Sequence, residues 1–198
     1  MKITSIKQQV KRTDRYSIFV EGKYAFSLSD SALLDAKLAG GQEISKEQLS
    51  EYKQLSTDDK LYNLTLRYVA MRPRTKWEVE TYLQRKNASP PLVELILNKL
   101  SNIDLLNDAN FARAFVNDRN LLRPTSRRKI IAELRKKHVS GEVIEAVIGQ
   151  EGVDEQAALL SIIERKRRQM RYQDDLKLMQ YLARQGFNYD DIKSALHK

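Results

Sequence analysis

The 198-residue chain has no cysteine, which excludes disulfides, thiol nucleophiles and cysteine-built metal sites. Histidine is limited to His138 and His197, His138 is expected at a helix end in a structural role, and no glycine-rich phosphate loop follows a strand. An enzyme is therefore not expected. With seven glycines and four prolines, no low-complexity linker interrupts the chain. No apolar run approaches the about eighteen residues of a membrane span, and Met1-Lys2-Ile3-Thr4 does not open a secretory leader. These absences together predict a soluble cytoplasmic protein with no membrane partner.

Positive charge is what the chain has in excess. Lysine and arginine total 35 against 26 acidic residues, a formal charge of +9 and a pI near 9.6. Polyanionic partners, nucleic acid or an acidic protein surface, are favoured. The length suffices to bury a core without staples or metals.

Three stretches, 75–97, 126–148 and 174–196, superimpose without a gap. Each opens on a helix-capping residue, Thr75, Ser126 or Asp174, and fourteen residues later a second capping residue follows, Ser89, Ser140 or Asn188. Apolar positions agree as well: Val79, Ile130 and Leu178; Leu83, Leu134 and Leu182; Val93, Ile144 and Ile192; Leu97, Ile148 and Leu196. Thr75 and Glu78 spell a capping box, and Pro90 and Pro91 fall in a first helical turn. A preceding helix completes each unit: from near Asp58 with Leu61, Leu64, Tyr68 and Met71 on one face and Tyr62, Leu66 and Val69 on the other; then with Phe111, Ala112, Phe115 and Val116; then with Leu159, Ile162, Ile163 and Met170. The predicted fold is mainly α, an elongated stack of tandem three-helix repeats over residues 58–104, 105–150 and 151–198. Such a stack buries its core alone, so a monomer is expected.

Residues 1–57 precede the repeats. Period-two patterning through Ile3, Tyr16, Ile18, Val20, Tyr24, Phe26 and Leu28 predicts a small antiparallel β element. A two-residue loop at Glu21-Gly22 would pair Ile18 with Ala25. A three-residue loop centred on Glu21 would pair Ile18 with Tyr24 and Tyr16 with Phe26. Two short helices, 29–38 and 45–55, follow, separated by Gly40-Gly41.

Candidate chemistry reduces to charge. Asp174-Asp175 and Asp190-Asp191 coincide with helix starts, where carboxylates serve the free N–H groups, so no metal or other cofactor is expected. Trp77 reads as a packing residue. The basic residues Arg123, Arg127, Arg128, Lys129, Arg135, Lys136 and Lys137 crowd the second repeat. Ile130, Ile131 and Leu134 form the buried stripe of that helix, leaving Arg128 with Arg135 and Lys129 with Lys136 stacked outside. A second cluster, Arg165, Lys166, Arg167, Arg168 and Arg171, ends a helix. Both are candidate binding residues for a polyanion, with steep salt dependence expected.

Three segments carry a family resemblance: Asn110-Phe-Ala-Arg-Ala-Phe-Val-Asn-Asp-Arg119, Ile131-Ala-Glu-Leu134, and Lys177-Leu-Met-Gln-Tyr-Leu-Ala-Arg-Gln-Gly-Phe187 with Tyr189 and Ile192. The chain resembles the RecX family, modulators of the RecA recombinase. Ile3-Thr-Ser-Ile-Lys-Gln-Gln9, Arg15-Tyr-Ser-Ile18 and Val20-Glu-Gly-Lys-Tyr-Ala-Phe-Ser-Leu28 resemble its amino-terminal part. The Arg184-x-Gly-Phe187 segment is the most specific element. Where the family tends to have lysine-glycine, this chain has Lys137-His138, and a differently shaped turn is expected there. The resemblance implies a non-enzymatic regulator of DNA repair, recombination and the SOS response. It would bind the RecA filament on single-stranded DNA and mainly inhibit assembly, ATP hydrolysis and strand exchange, with possible direct DNA contact. The competing reading is a basic helical module that binds nucleic acid alone.

Overall fold

A computed structural model describes residues 1–197. It resolves into two compact units, one of residues 1–72 and 82–100, the other of 73–81 and 101 onward.

The first unit holds a three-stranded antiparallel sheet in the order β1 (Ile3–Gln8), β2 (Arg15–Val20), β3 (Lys23–Ser29), followed by α1 (Asp30–Asp35) and α2 (Lys46–Ala70). Ile3, Ile18, Val20, Phe26 and Leu28 form its core with Leu38 and Ile44, and Leu49 and Tyr52 of α2 pack onto them. The β2–β3 turn is the two-residue loop, but neither register expected from sequence for Ile18 is found beyond it. Glu21 and Gly22 are both left-handed, at φ 50° and 75°, so the loop has two residues and Val20 pairs with Lys23. A bulge then skips Ala25, and Ile18 pairs with Phe26 and Tyr16 with Leu28. That extra residue keeps Phe26 and Leu28 on the buried face. The open edge of β1 bonds to the segment after α1, with Ile3 N–H donating to the Gln42 carbonyl at 2.9 Å and Gly41 N–H to that of Ile3 at 2.8 Å.

The helix expected over 45–55 and the one expected from Asp58 are a single helix, α2. The polar residues around the expected break are bonded in ways that let the helix continue. Ser56 Oγ donates to the Ser27 carbonyl at 2.6 Å, Thr57 Oγ1 bonds back to Lys53, and Gln54 donates to Asp58. Asp59 pairs with Arg15 at 2.9 Å, the two side chains only 6% and 4% exposed, and accepts from the Ser29 N–H at 3.0 Å and hydroxyl at 2.5 Å. The buried positions of α2 are therefore Ser56, Asp59, Thr65 and Val69, whereas Leu64 and Met71, expected on a core face, are exposed. Tyr68 instead stacks on Tyr82 with ring centroids 4.2 Å apart.

Three-helix repeats follow, continuing with α3 (Lys76–Arg85) and α4 (Pro90–Asn102); then α5 (Asp108–Leu121), α6 (Arg127–Lys136) and α7 (Gly141–Glu151); then α8 (Glu155–Arg167), α9 (Asp175–Arg184) and α10 (Tyr189–Leu196). Thr75 and Glu78 form the expected capping box, and Ser126, Ser140, Asp174 and Asn188 each cap a helix with the side chain. Pro90 and Pro91 open α4. Phe111, Ala112, Val116, Ile130, Leu134, Ile144 and Ile148 share one core; Leu159, Ile162, Leu178, Leu182 and Ile192 share another. Met170 is excluded from the latter, lying exposed in a 3-10 turn, Met170–Tyr172. Helices α3, α6 and α9 end alike. Asn87, His138 and Gly186 adopt φ of 58°, 58° and 95°, and the next amides, of Ala88, Val139 and Phe187, reach back to the carbonyls of Leu83, Leu134 and Leu182. The Lys137-His138 turn thus has the shape of its glycine-bearing counterpart.

Within the second unit, the first turn of one middle helix seats on the last turn of the next, twice and by the same scheme. The α3 amide of Lys76 donates to Asp108, at the start of α5, at 2.8 Å; the α6 amide of Arg127 donates to Glu155, at the start of α8, at 3.3 Å. Glu78 accepts from Lys137 Nζ at 2.6 Å, and at the corresponding position Lys129 Nζ donates to Gln185 Oε1 at 2.6 Å. Trp77 stacks on His138 at 4.2 Å, and Arg128 lies over Gly186. At the second joint Ser126 Oγ also donates to the Gln185 carbonyl at 2.6 Å.

Two substitutions test these supports. A Cβ at Gly186 would lie 2.8 Å from Ser126 Oγ and 3.3 Å from Arg128 Cβ, in a backbone conformation costly for L side chains. Gly186→Ala should lower stability by about 1–3 kcal/mol in urea unfolding. Asp59→Ala strands the buried Arg15 charge and should cost about 3–5 kcal/mol by the same measurement. An unchanged midpoint in either variant would refute the corresponding support.

Candidate polyanion-binding surface

Helix α6 carries Arg127, Arg128 and Lys129 in its first turn with no acidic residue, and Arg135 and Lys136 in its last. Cations suit the last turn, where the helix dipole is negative, but are opposed in the first. Helices α3 and α9 carry Glu78 and Asp175 in the corresponding turn. Ile130 and Leu134 are buried and Ile131 packs against the same core, as the periodicity predicted. Arg127, Arg128, Arg135 and Lys136 are exposed, a row of four cations along the outer side of one helix.

The remaining cations divide by partner. Lys129, expected to stack outside with Lys136, is half-buried and bonded to Gln185; Lys137 is bonded to Glu78. Both hold a joint. Arg123, in the link between α5 and α6, is exposed, and its side chain has no hydrogen-bond or ion-pair partner among the described residues. In the second cluster, Arg165 is likewise exposed and unpaired. Lys166 lies over the rings of Tyr172 and Tyr181, 5.1 and 4.7 Å from their centroids. Arg167 donates to the carbonyls of Tyr172 and Gln173 and pairs with Asp175, tying the 3-10 turn to α9. Arg168 pairs with Glu164 at 2.8 Å, and Arg171 lies over Tyr172 at 5.8 Å. The second cluster is therefore partly a structural clasp, signalled in sequence by the tyrosines and Asp175 around it.

Trp77, read as a packing residue, is 40% exposed and packs on His138 of the following repeat. Arg119, not singled out from sequence, forks onto Glu133 at 3.0 and 3.1 Å and covers the Phe115 ring at 4.3 Å. Asp174 accepts from the Lys177 backbone N–H, which holds its carboxyl below the ordinary aspartate value. Among the described residues no group of three His, Asp or Glu is arranged to hold a metal, and no helix is long and apolar enough to cross a membrane.

Comparison with known proteins gives a consistent result over the chain. Residues 1–45 match the family profile described as the regulatory protein RecX N-terminal domain. Residues 62–100, 107–148 and 154–196 match the first, second and third three-helix domains of RecX. A "Regulatory protein RecX" of Lactobacillus johnsonii is 31% identical over 193 residues, 95% of this chain and 71% of that protein. That of Bacillus subtilis is 28% identical over 199 residues, 98% of this chain and 75% of that protein. A crystal structure of regulatory protein RecX superimposes with a TM-score of 0.79 at 25% identity, covering 100% of this chain and 99% of that one. RecX from Lactobacillus salivarius superimposes with a TM-score of 0.61 at 26% identity, covering 71% and 94%.

The division between free and engaged cations predicts opposite mutational effects. Alanine at Arg127 should leave the melting temperature within about 1–2 °C, as for a surface residue without partners. Arg167→Ala should lower it by several degrees, roughly 1–2 kcal/mol, because two carbonyls lose a charged donor. Equal effects, read by circular dichroism melts, would refute the division.

Proposed function

The chain belongs to the RecX family of regulatory proteins, and from that premise we propose that it binds the RecA filament on single-stranded DNA and restrains its assembly, ATP hydrolysis and strand exchange. Action is by occupancy: a protein that binds one state of a filament shifts assembly by its differential affinity and needs no chemistry of its own.

The observation that carries this reading is the solvent-facing row Arg127, Arg128, Arg135 and Lys136. Two of these cations stand where the helix dipole opposes them, a local cost of a few tenths of a kcal/mol that surface function offsets. A nucleoprotein filament presents both phosphates and protein to such a surface. Phosphate neutralisation supplies salt-dependent affinity without reading sequence.

RecA's single-strand-dependent ATP hydrolysis, followed as the protein is titrated in, tests the proposal beside fluorescence anisotropy of a labelled single strand without RecA. Hydrolysis should fall well below the protein concentration that saturates bare DNA. The variant Arg127→Glu, Arg135→Glu, Lys136→Glu should need on the order of tenfold more protein for the same inhibition while keeping its helical signal. Lys129 and Arg128 are left in place because both serve the joint at Gly186. Inhibition only at strand-saturating concentrations would replace the proposal with a stand-alone nucleic-acid-binding module.

A further inference from the structure

A cleft of 420 Å³ opens beside the first turn of α6, with Arg119, Arg123, Lys129, Arg165, Glu133 and Tyr181 among its lining residues. Four cations and a single carboxylate line it. Arg119 already forks onto that carboxylate, and Lys129 is bonded to Gln185. Arg123 and Arg165 are different: they come from separate elements, the α5–α6 link and the last turn of α8, and neither side chain has a hydrogen-bond or ion-pair partner among the described residues. Two unpaired guanidinium groups on one concave wall repel each other, and the recess focuses their field outward. An incoming anion converts that repulsion into attraction.

We propose that this cleft is a phosphate-binding site in which Arg123 and Arg165 hold the anion and Thr125 and Gln185 complete the polar wall. The guanidinium fork matches phosphate oxygens bidentately, and a pocket of this volume admits more than one phosphate group. The phosphate comes from a nucleic-acid strand or from a free polyphosphate; for the first source the assignment rests on the function proposed above. The walls are fixed independently of any ligand, since Ser126 and Lys129 are bonded to Gln185 across the cleft. The site is therefore preformed on one side and loses little conformational freedom there on binding.

Thermal shift with inorganic tripolyphosphate and anisotropy of a labelled oligo-dT strand test it, comparing the full chain with Arg123→Ala, Arg165→Ala and, as control, Arg135→Ala, Lys136→Ala. Tripolyphosphate should raise the melting temperature of the wild type and of the control, and not of the Arg123/Arg165 variant. That variant should bind oligo-dT about tenfold or more weakly, with a log–log salt slope smaller by about 1–2. Displacement of oligo-dT by tripolyphosphate assigns the strand as a source; tripolyphosphate binding without displacement assigns the free polyphosphate. No tripolyphosphate effect, together with unchanged oligo-dT binding by the variant, would overturn the site. Displacement by a polyglutamate peptide with no tripolyphosphate effect would also overturn it, in favour of an acidic protein segment. Unaltered RecA hydrolysis alongside intact tripolyphosphate binding would refute the filament reading and leave the cleft standing.

Discussion

The seating of one middle helix on the left-handed turn of the next is the contact on which the basic surface depends. Helix α6 takes part in it at both ends: its last turn, at Lys137 and His138, receives Glu78 and Trp77, and its first turn, at Ser126 and Lys129, rests on Gln185 and Gly186. A ten-residue helix is marginal in isolation. Fixed at both ends and buried along Ile130 and Leu134, it holds the backbone beneath its outer cations in place, which limits the backbone freedom still to be lost on binding. The Arg-x-Gly-Phe segment acquires a physical reason here. Gly186 gives the turn its sign of φ and gives Ser126 and Arg128 room to approach, and Phe187 fills the core beneath.

Charge serves two purposes that the sequence does not separate by composition. In the first unit Arg15 and Asp59 are buried, paired and surrounded by serine donors and acceptors, binding α2 to β3. Lys129, Lys137 and Arg167 hold turns and helix ends together. Within the two clusters, Arg123, Arg127, Arg128, Arg135, Lys136 and Arg165 present their cations to solvent without an ion-pair partner among the described residues. The formal charge of +9 overstates neither group; it sums them.

Local signals were legible in the sequence and distant pairings were not. The capping residues Thr75, Ser126, Ser140, Asp174 and Asn188, the apolar register through Leu83, Leu134 and Leu182, and the prolines opening α4 each act within one or two helical turns, and each was placed correctly. Glu78 with Lys137 lies 59 residues apart and Lys129 with Gln185 lies 56 apart, so neither spacing leaves a periodic trace. The same holds for Ser56 and Asp59. Their partners on β3 lie 29 and 30 residues away, so α2 runs on through the break expected between 55 and Asp58. The β2–β3 register failed for another reason: one bulged residue reverses the face of everything beyond it.

The two joints share one geometry and differ in chemistry, and that difference bears on how copies of the chain avoid one another. Were the first turn of α6 to meet the last turn of a second molecule's α6, Lys129 would face Lys137, and Arg128 would meet the His138 ring where it now finds the bare backbone of Gly186. Like charges and a filled space would oppose the contact. Tandem units of similar shape are prone to pair with the wrong neighbour during folding. Here the last turn of α6 complements Glu78 and opposes Lys129, so at this joint the order of the repeats is written into the helix end.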